Sequence, residues 1–182
     1  MKKVVLIAAL AALFRPLFGA ESIAELIDAY KRGDHRYVCF KGSKLFGKFR
    51  NNEDLVMMYA FSCLNIDYID RLSVPILALG KTPESRRNRA YFSLIQAQKY
   101  ILIHALLDNE HYEDLNLPTT DYILSRVFNL FFKNRYKKDG DVYLMEDEKG
   151  KYKLYVKELH GKKWVYIEET TKDGKTHIHK YR

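Results

Sequence analysis

Cys39 and Cys63 each lie twelve residues from Asn51. If the chain folds back at Asn51-Asn52 with a helix on either side, the two thiols reach the same level and face each other. A disulfide needs Cα atoms within about 7 Å. Gly42 offers one place where two helix backbones can approach that closely. Closing this loop would add about 3 kcal/mol in the chain-entropy view. Two other states of the pair stay open. Both cysteines can be buried and reduced, or one can be a reactive thiol. The last reading lacks a Cys-x-x-Cys motif and an evident basic partner.

The redox question turns on where the chain goes. Met1-Lys2-Lys3 is a basic start, and Val4 to Phe14 is an unbroken apolar run of eleven residues. That layout is a secretory signal, and the run is too short to span a bilayer alone. Cleavage is expected after Ala20, although Phe18 stands where a small residue usually sits. The alternative is an uncleaved inner-membrane anchor extending to about Leu17 or Phe18. The expected location is therefore periplasmic, where a disulfide persists.

Removing residues 1–20 leaves 28 basic against 23 acidic residues, a net charge near +5. A basic chain raises the question of nucleic acid. An exported one meets anionic lipid, glycan or an acidic protein instead, so no nucleic-acid partner is expected. Fourteen tyrosines and ten phenylalanines are enough to fill a core and argue against disorder.

The front of the chain reads as short helices. Ser22 and Glu25 form a capping box ahead of Ile23, Leu26, Ile27 and Tyr30 at helical spacing. Gly33-Asp34 breaks that helix. A second runs from Arg36 to Phe49, weakened by Gly42 and Gly47. Asn51-Asn52 ends it and starts a third, to Asn65, with Glu53 and Asp54 at its positive end. Tyr68 to Leu79 is a fourth segment, which Pro75 should kink or shorten.

The run Ala29-Tyr30-Lys31-Arg32-Gly33-Asp34, a helix, Asn51-Asn52 and a further helix with Tyr59-Ala60 resembles tetratricopeptide-type repeats over residues 22–80, about two units. Ala60 falls where that family places a small residue. Ile66-Asp67 and Pro75 depart from its pattern. The resemblance implies a scaffold for protein or peptide rather than catalysis.

Beyond Gly80 the repeat period is lost. Thr82-Pro83-Glu84 starts a long helix to about Leu107, whose second half is apolar on nearly every side. Asp108 to Pro118 is an acidic loop. Thr119 or Thr120 is expected to cap a phenylalanine-rich helix ending in Lys133, Arg135, Lys137 and Lys138. At Asp139-Gly140 the period changes to two. The segments 142–146, 151–159, 163–170 and 176–181 then read as a four-stranded antiparallel meander. The expected fold is α+β and mainly α: a helical repeat-like domain over 21–138, then a β unit over 139–182 packed on the preceding helix.

Several residues are candidates for function. His177 and His179 share a strand face near His160. They read either as solvated strand residues or as part of a metal site, and no metal or cofactor is assigned. His104, inside an apolar run, is expected to be a neutral core residue. Arg86, Arg87 and Arg89 crowd a helix start, where positive charge is unfavourable, and point to an acidic partner or to a solvated face. Lys133, Arg135, Lys137 and Lys138 form an anion-binding candidate, with compensation of the helix dipole as the plain alternative. Gly80-Lys81-Thr82 echoes a phosphate loop, but Pro75 stands where its first glycine should be.

The function expected from these readings is a non-enzymatic interaction module. It would bind an envelope protein or peptide in a groove between helices, through Tyr30, Tyr37, Tyr59 and Arg86 with its neighbouring arginines. The runner-up is a binder of anionic membrane lipid or glycan through the basic clusters.

Overall fold

A computed structural model describes residues 22–182. The expected signal segment and the expected cleavage after Ala20 lie outside the described residues.

Local signals set the first three helices. α1 spans Ile23–Lys31, and the Ser22 hydroxyl accepts from the Glu25 amide while the Glu25 carboxylate accepts from the Ser22 amide. Gly33, at φ 76°, makes the turn. α2 spans His35–Phe49 under an Asp34 cap, and α3 spans Glu53–Asn65 under an Asn52 cap. Cys39 meets Cys63, and Gly42 meets Tyr59. Both pairs straddle Asn51 almost symmetrically, so α2 and α3 form an antiparallel hairpin.

A 3₁₀ turn at Ile69–Leu72 precedes α4, Ser73–Ala78. Pro75 shortens the segment as expected. It sits in the first turn of α4, where no amide donor is required. α5, Pro83–Leu107, starts at a Thr82 cap and runs 25 residues, roughly 37 Å. No helix among the described residues is long and apolar enough to cross a membrane. α6 spans Ile123–Phe132.

Two expectations about α6 need correction. Its cap position is Tyr122, and Thr120 instead accepts from the Tyr122 amide in the turn before it. The helix also ends sooner than its basic tail implied. Asn134 takes φ 54°, and the amides of Asn134 and Arg135 close back onto Phe131 and Leu130. Lys137 and Lys138 therefore leave the helix and enter a strand.

That strand, β1 (Lys137–Asp139), makes the sheet five-stranded rather than four. It was too short to show a period. β2 (Val142–Glu146), β3 (Gly150–Leu159), β4 (Lys162–Thr171) and β5 (Thr176–Tyr181) follow in a meander of order β1-β2-β3-β4-β5, every pair antiparallel. His160 and Gly161 both take positive φ in the β3–β4 turn, as a two-residue hairpin loop requires.

One face of the sheet buries Met145, Tyr152, Leu154, Val165, Ile167 and Tyr181. α5 and α6 pack on this face. α6 contributes Leu124, Val127 and Phe128 to the same core. Each such side chain adds roughly 1.5–3 kcal/mol by burial. The opposite face, with Lys153, Lys157, Ile178 and Lys180, remains exposed. Helices thus cover one side of the sheet, and the last strand lies beside the loop after α3.

Candidate functional site

The cysteine pair is a disulfide, with Cα atoms 4.8 Å apart and both residues fully buried. It staples α2 to α3. The reduced and reactive readings of the pair are both set aside by this bond.

Of the expected groove residues, one is closed off. Tyr59 is 2 % exposed, wedged against Gly42, Phe46 and Phe49, and has no face to offer a partner. Burial raises its hydroxyl pKa. Tyr30 packs edge-on against His35 at the end of α1, and Tyr37 lies half-buried under Lys41. The arginines at the start of α5 turn back on their own loop. Arg86 donates to the Gly80 and Lys81 carbonyls, and Arg89 to that of Leu79. Arg87 stays on the exposed side. Carbonyl oxygens therefore offset the unfavourable charge of Arg86 and Arg89.

The loop that echoes a phosphate site does hold an anion, from its own chain. The amides of Gly80, Lys81 and Thr82 donate to the buried Glu53 carboxylate at 2.7, 2.8 and 3.2 Å. Burial pushes Glu53 up. The amides of Lys81, Gly80 and Thr82 and the Ser85 hydroxyl outweigh it and hold the carboxyl at about 2.

His104 is exposed, not buried: Tyr112 and Asp108 face its ring nitrogens from the loop after α5. His179 turns inward, while His160 sits in the β3–β4 turn. Among the described residues no group of three or more His, Cys, Asp and Glu is arranged to hold a metal ion.

His179 belongs to a half-buried polar network joining helices to sheet. Asp67, at φ 61°, accepts from His179 Nδ1 at 2.9 Å, Tyr122 at 2.5 Å and Tyr181 at 3.1 Å. Burial and then the Asp67 charge drive the Tyr122 hydroxyl far above its usual range. On the other side of His179, Glu169 pairs with Arg126 at 2.7 Å. Arg126 also donates to the Tyr152 hydroxyl, which donates to Asp147.

Two members of this network, Asp67 and Tyr181, line a seam between the helices and the edge of the sheet. A cleft of about 480 Å³ opens there, within the range of ligand pockets. Its helical wall carries Phe40 and Tyr68, 5.2 Å apart, with Arg36 over the Phe40 ring. Its sheet wall carries Trp164, with Lys180 and Arg182 5.5 and 5.0 Å from the ring centre. The Trp164 indole nitrogen is buried and has no hydrogen-bond partner among the described residues. The two carboxylates in the lining are already engaged. Asp67 holds His179 and the tyrosines, and Asp70 holds the buried Lys99 and the Tyr100 hydroxyl. Arg36, Lys180 and Arg182 are left as the positive groups facing the opening.

A second, wider groove of about 720 Å³ lies over β1–β3. It brings together Arg135 and Lys137 from the expected anion-binding set and adds Lys151 and Lys153, with Leu144 in the floor. Lys133 caps α6 and Lys138 stands over Tyr143, both outside this lining.

Sequence reasoning missed the cleft residues. The available signals were weak. Arg36 and Phe40 are one helical turn apart, and Trp164 and Lys180 alternate away from the core in their strands. Neither pattern says that residues 36–70 and 164–182 meet.

No family model, no curated protein and no solved structure matches this chain.

Proposed function

We propose that this protein is an exported, non-enzymatic binding module that takes a segment of an envelope protein in the seam cleft. The carrying observation is the pairing of aromatic walls with cations already held over their rings, at Arg36–Phe40 and at Lys180 and Arg182 with Trp164. Such fixed groups lose little freedom on binding, which favours affinity. Because Asp67 and Asp70 are tied to internal donors, the site suits recognition better than proton transfer. A buried disulfide supports an oxidising compartment, in keeping with export. The α2–α3 hairpin supports a tetratricopeptide-like scaffold role, but the partner's place moves from the helix groove to the seam.

Photo-crosslinkers at Phe40 and Trp164, with Leu77 as a distant exposed control, test this reading in intact cells. A partner peptide captured at the first two positions and lost with Arg36→Glu is expected. Equal capture at Leu77, or none at the cleft, rejects it.

A second reading has its own observation. Arg135, Lys137, Lys151 and Lys153 around the sheet groove favour an anionic lipid or glycan. That binding would fall steeply between low and high salt.

A further inference from the structure

The geometry points to an added sixth strand: an extended acidic peptide that pairs along the free edge of β5 and sets its carboxylates against Lys180, Arg182 and Arg36. This rests on the binding reading above and supplies its mode and the chemistry of the partner.

The sheet has two edges, and they differ. β1 is only three residues long, and a very short strand is one of the usual ways an edge is blunted. β5 is six residues long and holds unbroken register with β4 from Thr170↔Thr176 to Val165↔Tyr181. It contains no proline and no bulge. Its backbone groups on the side away from β4 have no strand partner among the described residues. A free, regular edge of this kind is the template that peptide-binding domains use for strand addition.

The cleft lies along this edge. Ile178, Lys180 and Arg182 form one bank, and Ile66 and Tyr68 form the other. Ile178 is an apolar residue 62 % exposed on an edge strand. An added strand would place alternate side chains opposite Arg182, Lys180 and Ile178 on the uncovered face. For antiparallel pairing the matching pattern, read from its N-terminus, is acidic-x-acidic-x-apolar.

Charge selects the occupant. A second copy of this chain pairing edge to edge about Lys180 would bring Lys180 and Arg182 of both copies onto one face, and like charges across strands repel. An acidic strand meets complementary charge instead.

The probe is a blocked peptide with the core Glu-Thr-Glu-Thr-Val. Trp164 is the sole tryptophan, so its emission reports occupancy of the cleft. Binding should change that emission and slow amide exchange within 176–181. Lysine in place of both glutamates in the probe should weaken binding about tenfold or more, as should Lys180→Glu in the protein. N-methylation of the edge-facing amides should cost a similar factor, because it removes strand pairing and leaves the charges in place. If the N-methylated peptide binds as well as the parent, the sixth-strand mode is wrong while the cleft remains a binding site. Absence of binding at millimolar peptide overturns the proposal. So does polygalacturonate or a phosphatidylglycerol vesicle that shifts Trp164 emission with the same dependence on Lys180. So does a sedimentation result showing dimers joined through β5.

Discussion

The Asp67 carboxylate accepts from His179 Nδ1 at 2.9 Å across 112 residues of sequence, tying the loop after α3 to the last strand. With Glu169 on the other side, the imidazole lies between two carboxylates. This clasp fixes β5 beside the helices and so sets the width of the seam cleft.

Stability should therefore depend on the charge of His179. Burial lowers its pKa, but the Asp67 and Glu169 carboxylates raise it more, and the net shift is upward. Folding favours the protonated ring. Its contribution is complete below the unfolded imidazole value, about 6.5. It is lost as pH rises through the higher folded value. Denaturant midpoints of the wild type should fall over that window, and His179→Gln should flatten the fall. An unchanged slope in the variant would contradict the assignment.

Arg126 balances Glu169 in a site where both side chains are about 15 % exposed or less. Arg126→Met removes the close cation and leaves the carboxylate only His179, at 3.7 Å, and should cost about 3 kcal/mol. Adding Glu169→Gln should recover a substantial part of that loss. A double-mutant cycle in urea measures the coupling, and additive effects would show that the pair is not coupled.

Replacing both Cys39 and Cys63 by alanine should lower stability by about 3 kcal/mol. For a domain of this size that is roughly 6–12 °C in Tm. A scan with and without reductant checks it, and reductant should have no effect on the variant.

Two glycines of α2 should respond in opposite senses. A Cβ at Gly42 would lie 2.7 Å from the Tyr59 ring, whereas at Gly47 it meets nothing within 4 Å. Gly47→Ala should stabilise by about 0.5–1 kcal/mol through helix propensity. Gly42→Ala gains the same term but overpacks the core by about 1–3 kcal/mol, so a net loss is expected. Chemical denaturation of both variants decides the signs.

Much of the architecture was legible because its signals act over a few residues. Ser22 and Glu25 announced α1, and the equal spacing about Asn51 announced the hairpin and its disulfide. The period-two segments after Gly140 marked β2 to β5. β1 escaped because three residues carry no period, and its lysines resembled a helix terminus. His104 escaped because α5 has apolar residues on most sides, so only its neighbours decide which positions are covered. Tyr59 reads from the sequence as a groove residue, and only the bare backbone of Gly42 across the hairpin decides that it is buried.

Caps, turns, strand alternation and the covalent loop were determined by the sequence alone, since each depends on neighbours in the chain or on one spacing. The tertiary structure decided which sheet face is covered, which edge is free, and that Arg36 and Phe40 stand across from Trp164 and Arg182. The physical reason is that apolar burial has no direction: it drives segments together without stating which ones. The pairing was selected by the fit of whole elements and by the polar clasp at Asp67, contacts that exist only once the chain is folded.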